Sequence, residues 1–347
     1  MRQEIRIGSR WIGERHPAFI MAECGVTCNY DVAITKQLID VVRESGADAI
    51  KLIFWFPDEI MSDRTIEYRY DTVEGPRSEN MYEMLCKLRF TLEQWREIKA
   101  YADARGVILF STVNSPSGIA WAETLKLDAY KLSSWDYNDV PLWRKIAALG
   151  KPMLIDTGPV NTLDVAKALE LLHEAGNDQC VLVHCTHAAR PDEHHLRAIP
   201  YMRDAFQALT GYSSKDADST PDLLALALGA VVLEKRLTIS RALPGHHHIL
   251  SMEPKEFADY VALIRRAEAS LGEYDLRPSA PDREERKRWF RHLVAKAPIA
   301  QGTVLTPELV EGKRPESGIS PEWLEYFVGK RLSRDLAADE ALDWDHV

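Results

Sequence analysis

The fold class that the sequence predicts is α/β, a parallel (β/α)8 barrel followed by a small C-terminal domain. Three observations predict it. Short apolar runs alternate with amphipathic helical segments, and eight such units fill about 250 residues, which suits a closed barrel. The apolar runs are continuous, as in strands buried on both faces of a parallel sheet. No GxGxxG follows the first run, which argues against an open dinucleotide-binding sheet.

In chain order the eight candidate strands are Phe19–Cys24, Ala49–Phe54, Val107–Thr112, Tyr130–Ser134, Pro152–Thr157, Val181–Thr186, Phe206–Ser213 and Ala230–Leu237. Segments such as AITKQLIDVVRESG and TLEQWREIKAYADARG lie between them and end in Gly, a helix C-cap signal. Before the first strand, IRIGSRWIG has the pattern of a small β-hairpin plugging the N-terminal end of the barrel. Residues Pro57–Arg89 form a long charged connection after the second strand. Loops on that face carry function, so this one is a candidate lid. The expected division is a barrel over 1–275, a charged linker with a short helix over 276–290, and a compact β-rich domain over 291–347. At about 60 residues the last is near the lower limit of independent stability.

Of the 347 residues, 46% are hydrophobic and 28% charged, enough to bury a real core. The formal net charge of −10 opposes nonspecific attraction to nucleic acid or anionic membrane. No apolar run resembles a signal peptide or a membrane span. The five cysteines are scattered without a CxxC pair, as expected of reduced thiols in a cytoplasmic protein.

Polar residues at the C-terminal ends of barrel strands converge on one site. Here they are Glu23; Lys51; Ser111 and Thr112; Lys131 and Ser134; Asp156 and Thr157; His184, Thr186 and His187; Ser213, Ser214, Lys215 and Asp216; and Glu234, Lys235 and Arg236. Strand alternation aims Glu234 and Arg236 together and Lys235 the other way. A set rich in Lys, Arg and hydroxyls suits an anionic substrate such as a phosphate or carboxylate.

MAECGVTCNYD, ADAIKLI, LFSTVNS, YKLSSWDYNDVPL, LIDTGPV, VHCTHAARP, GYSSKDADS and VLEKRLTISRALPG occur in the order and spacing of the sialic acid (N-acetylneuraminate) synthase family. The tail KRPESGIS…VGKRLSRDLAADEAL resembles that family's antifreeze-like (SAF) domain. The resemblance implies a TIM barrel with a SAF domain and condensation of phosphoenolpyruvate with an open-chain aldose or other aldehyde. It also implies a domain-swapped homodimer in which one chain's small domain covers its partner's barrel mouth. Glu23, Lys51, Thr112, Lys131, Ser134, Ser213 and Glu234 match positions that contact phosphoenolpyruvate or the sugar. Arg314 matches an arginine that reaches the partner's substrate.

Other positions depart from the pattern. Lys215 and Arg236 stand where the family has two metal-binding histidines, and Ile53 replaces a glutamine. Asp156 replaces a phosphate-contacting serine, His187 and Ala189 replace an asparagine and a tyrosine, and the run His246-His247-His248 takes the place of an acidic residue. A protonated lysine or arginine has no lone pair for a divalent metal, so the expectation is a site with no metal and no other cofactor. Glu23, Lys131, Lys215, Glu234 and Arg236 are then the candidate catalytic groups. Lys51, Thr112, Ser134, Asp156, His187, Ser213, His247 and Arg314 are the candidate substrate contacts. Two alternatives stay open, a Schiff-base aldolase or lyase using Lys131 or Lys215 on a 2-oxo acid, and a non-catalytic sugar- or anion-binding homologue.

Overall fold

The computed structural model describes residues 1–186, 190–215 and 217–347. It divides into two compact units, Met1–Gly272 and Glu273–Val347. In the first, eight parallel strands close into a barrel: β1 (Phe19–Glu23), β2 (Ala49–Ile53), β3 (Ile108–Thr112), β4 (Tyr130–Leu132), β5 (Met153–Asp156), β6 (Cys180–Cys185), β7 (Leu209–Ser213) and β8 (Val232–Arg236). Closure is made by β8 against β1, with Val232 opposite Phe19 and Arg236 opposite Glu23. A helix follows each strand: α1 (Val32–Ser45), α2 (Leu92–Arg105), α3 (Pro116–Thr124), α4 (Val140–Ala147), α5 (Thr162–Glu174), α6 (Ala198–Phe206), α7 (Thr220–Ala227) and α8 (Pro254–Leu271).

The helices begin and end where the local chemistry requires. Asp31 caps α1 by accepting from the backbone N–H of Ala33 and Ile34, and Thr91 with Gln94 forms a capping box on α2. Gly46 and Gly106 end these two helices in the left-handed region, at φ 79° and 69°. Several strands start later than their apolar pattern suggests, at Ile108, Met153, Leu209 and Val232, and the seventh is displaced furthest. Phe206 closes α6, and Gln207 at φ 48° turns the chain so that β7 begins at Leu209. The pattern shows apolarity but not where a left-handed residue resets direction.

The barrel interior is filled by Phe19, Met21, Phe110, Leu154, Val183 and Val232, together with Ile5, Ile7 and Ile12 of an antiparallel hairpin formed by Glu4–Ile7 and Arg10–Gly13. The hairpin therefore plugs the barrel end away from the strand C-termini. Asp48, buried at that end, receives the Ile20 backbone N–H at 2.8 Å and pairs with Arg10 at 3.0 Å and Arg265 at 3.3 Å. Outside the strands, a second cluster built from Leu38, Trp95, Trp143, Leu172, Phe257 and their neighbours seals the helices onto the sheet.

The long connection after β2 folds into a second antiparallel hairpin, Glu67–Thr72 with Gly75–Asn80, followed by a short helix, Met81–Lys87. Among the described residues no helix is long and apolar enough to cross a membrane. The second unit holds a charged helix (Ala280–Trp289), a two-stranded antiparallel sheet (His292–Ala295 with Val310–Lys313) and a core around Leu293, Leu305, Ile319, Phe327, Leu336 and Leu342.

Candidate active site

Parallel register carries the strand-end residues to a common level. Glu23 lies opposite Lys51, Thr112 opposite Lys131, and Ser213 opposite Glu234. Here the apolar filling of the barrel ends and a charged layer begins. Lys131 is fully buried, and its Nζ lies 2.6 Å from Glu234 Oε2 and 2.6 Å from Asp156 Oδ1. Lys51 Nζ lies 2.9 Å from the other Glu234 oxygen, Oε1, and also pairs with Glu23. The ion-pair chain Asp156–Lys131–Glu234–Lys51–Glu23 thus crosses the barrel mouth.

A buried charge is tolerable only when paired, and the chain sets each group's protonation. Burial alone would raise the Glu234 carboxyl, but Lys131 and Lys51 outweigh it and hold Glu234 well below the usual carboxylate range. Burial works against both ammonium groups, yet their carboxylate neighbours keep Lys51 and Lys131 firmly protonated. Asp156 differs, since burial pushes it up to about 6 and Glu234 adds to the rise, although Lys131 pulls it down. Three carboxylates face two lysines, and Asp156 takes a proton more readily than Glu234.

Backbone and hydroxyl groups complete the layer. Gly25 N–H donates to Glu23 Oε1 at 2.8 Å, and a Cβ at Gly25 would overlap both Glu23 and Ile53. Gly158, at φ 45°, passes so close to Ser134 that a Cβ there would overlap its side chain. Thr112, Ser134 and Ser213 are all buried at the strand ends.

Lys215 and Arg236 stand beside this chain. Arg236 Nη1 donates to the Lys215 carbonyl at 3.1 Å. Burial and then the Arg236 cation push the Lys215 amine down to about 8, the only one of the site's lysines near neutrality. Lys131, flanked by two carboxylates, is by contrast a poor amine nucleophile.

Of the three histidines, His248 is held apart from the other two by its own hydrogen bonds. His248 Nδ1 bonds Thr238 at 2.7 Å and its Nε2 bonds Asn29 at 2.9 Å. His247 takes a left-handed conformation, φ 71°, and its ring packs edge-on against that of His246, with centroids at 4.6 Å. His246 packs against Tyr68 and Tyr70 of the 67–80 hairpin, with ring centroids at 5.3 and 5.5 Å. Burial and the Arg236 charge lower His246 to about 4 and hold His247 well below the imidazole range, so both are neutral.

The structure therefore brings Glu23, Lys51, Thr112, Lys131, Ser134, Asp156, Ser213, Lys215, Glu234, Arg236 and His247 to the strand-end face of the barrel. His187 lies outside the described residues, as do Ala189 and Asp216. Arg314 belongs to the second unit, where its Nε donates to the Trp289 carbonyl at 2.7 Å. The Gly25 N–H clamp on Glu23 and the aromatic seat for His246 were not anticipated from the sequence. The second had a signal, the alternation of tyrosines in IEYRYDT.

The metal that the resemblance implies does not suit these side chains. Lys215 and Arg236 offer no lone pair while protonated, and Glu23 is engaged with Lys51. Among the described residues, no three His, Cys, Asp or Glu side chains are grouped to hold a metal ion.

Residues 38–275 match the model of the NeuB family, and residues 290–347 match that of the SAF domain. The chain is 31% identical over 341 residues to the N,N'-diacetyllegionaminic acid synthase of Legionella pneumophila, covering 96% of each protein. It is 30% identical over 347 residues to an uncharacterized protein of Methanocaldococcus jannaschii, covering 99% of each. The crystal structure of the spore coat polysaccharide biosynthesis protein SpsE from Bacillus subtilis superposes with a TM-score of 0.66 at 27% identity, over 99% of each chain.

The shifted Asp156 carboxyl has a thermodynamic consequence. Its folded pKa of about 6 exceeds the unfolded value of about 3.9, so its contribution to stability is full below about pH 4 and is lost as pH rises through 6. Unfolding free energies from urea titrations should fall between about pH 4 and 7 more steeply for the parent than for Asp156→Asn. Parallel curves for the two proteins would show that Asp156 is ionised throughout.

Proposed function

The chain belongs to the NeuB family, and from that premise we propose that it condenses phosphoenolpyruvate with an aldose or other aldehyde, without the divalent metal. The observation that carries the reading is the meeting of Glu23, Lys51, Lys131 and Glu234 in one buried ion-pair chain. These are positions at which the sequence matches the family's substrate contacts. Relatives at comparable similarity are named as legionaminic, pseudaminic and N-acetylneuraminate-9-phosphate synthases.

In this reading Lys51, Thr112, Lys131, Ser134 and Ser213 bind phosphoenolpyruvate. Its phosphate comes close to Asp156, and the added negative charge favours the protonated carboxyl, which then donates a hydrogen bond instead of repelling. C3 of the enol attacks the aldehyde carbon, the carbonyl π pair becomes an alkoxide, and a positive charge develops at C2. Arg236 and Lys215 polarise the aldehyde oxygen beforehand and balance the alkoxide afterwards. Water adds at C2, and Glu23 accepts its proton or orients it. The C2–O bond to phosphate then breaks, leaving a 2-oxo acid and inorganic phosphate. His247 and the hairpin tyrosines border the acceptor end.

A continuous assay of phosphate release tests the reaction itself. With phosphoenolpyruvate and a panel of N-acylated and simple aldoses, at least one acceptor should support release, and 18O in the bridging position should appear in the phosphate. Arg236→Ala should lower kcat by about 10²–10³. No release with any acceptor, combined with borohydride trapping of pyruvate on Lys215, would replace this reading with the aldolase.

The reading includes a homodimer in which the partner's Arg314 reaches the acceptor. Mixing Arg314→Ala chains with Lys131→Ala chains should restore part of the activity, because one of the two sites in each heterodimer then keeps both residues. Absence of recovery after verified subunit exchange would contradict a shared site.

A further inference from the structure

Lys235 lies between two site residues, Glu234 and Arg236, yet takes no part in the ion-pair chain. Strand alternation sends it outward, where it is fully buried between the barrel and the helices. An ammonium has three donors, and here all three are used. Lys235 Nζ bonds Asp222 Oδ2 of α7 at 2.8 Å, Ser214 Oγ at 3.0 Å and the Asp218 backbone carbonyl at 2.5 Å. The Tyr260 hydroxyl of α8 donates to the other Asp222 oxygen at 2.9 Å and fixes that carboxylate in turn.

Two of the three bonds go to Ser214 and Asp218, which flank Lys215 in the sequence. The backbone of Ser214 and Lys215 is also held, by Arg236 through the Lys215 carbonyl and by the bond from Ser214 N–H to the Glu234 carbonyl at 3.0 Å. Three consecutive residues of β8, Glu234, Lys235 and Arg236, thus hold Ser214, Lys215 and Asp218.

We propose that Lys235 is a positioning residue, which with Asp222 and Tyr260 holds Ser214 and Asp218 on either side of Lys215 and so fixes the Lys215 amine beside Arg236. The inference matters to the proposed condensation, because Lys215 is one of the two cations assigned to the acceptor oxygen. Its geometry, however, is independent of that reaction. In the clamped state Lys215 keeps the low proton affinity that burial and Arg236 impose. Released from the clamp, the side chain moves toward solvent and behaves as an ordinary lysine.

The test is trace labelling of the full-length protein with acetic anhydride across pH, with Lys215 followed by peptide mass analysis. The parent is compared with Ser214→Ala, with the apolar pair Lys235→Met/Asp222→Leu and with Lys235→Arg. In the apolar pair the half-point of the Lys215 labelling curve should rise by about one pH unit or more, toward the ordinary lysine value of about 10.4. Ser214→Ala should move it by less, and Lys235→Arg should stay nearer the parent than the apolar pair. If the condensation is confirmed, kcat should fall in the same order with little change in KM for phosphoenolpyruvate. A folded apolar pair with the parent's labelling curve would overturn the proposal, whatever its thermal midpoint. Should that variant not fold, a Ser214→Ala curve superimposable on the parent's would overturn it. Failure of the condensation itself would leave the labelling result standing, so the two claims are separable.

Discussion

The rest of the site depends on one constraint, a lysine ammonium with no exposure to water at the top of a packed barrel. Burying Lys131 as a cation is costly by several kcal/mol unless carboxylates stand within bonding distance. Glu234 and Asp156 meet that demand from two other strands. Glu234 in turn has a second oxygen to satisfy, which draws in Lys51, and Lys51 draws in Glu23. Five charged groups on five strands are thereby locked at one level, which pre-organises the mouth of the barrel before any substrate arrives.

Asp156 shows how a departure from the family pattern propagates. A serine there would leave Lys131 free to meet a phosphate, whereas the aspartate occupies the lysine and makes the layer richer in carboxylate than in ammonium. Its raised pKa offsets this, since the carboxyl can take up a proton as an anion approaches. Lys215 and Arg236 supply positive charge on the acceptor side of the layer. In the proposed reaction these three departures together move cationic character away from Lys131 and toward the positions that match the family's metal ligands.

Much of the barrel was legible in the sequence because each strand is apolar on both faces and each helix announces its ends, as Asp31, Thr91, Gly46 and Gly106 do. The N-terminal plug was legible too, from the alternation of Ile5, Ile7 and Ile12. Pairing within the charged layer was not. Lys51 and Glu234 are 183 positions apart, and their contact follows from barrel closure and register, which no local pattern encodes. The different seats of the three histidines, His246 and His247 ring to ring and His248 bonded to Thr238 and Asn29, go with a left-handed backbone at His247 that the bare run HHH does not signal. The alternation argument did place Lys235 away from the site, but its bonds to Ser214, Asp218 and Asp222 became visible only once α7 and α8 were packed against β8.

The central claim is that fixed cations do the work assigned to a metal elsewhere in the family, and metal dependence of the initial rate tests it most directly. Parent protein and the double variant Lys215→His/Arg236→His would be assayed with phosphoenolpyruvate and an active acceptor, in EDTA and with added Mn2+. The account predicts a parent rate that EDTA leaves unchanged. It predicts a double variant inactive in EDTA that gains activity with Mn2+, because two imidazoles can supply lone pairs where two cations could not. A parent that loses its activity in EDTA and regains it with Mn2+ would contradict the account.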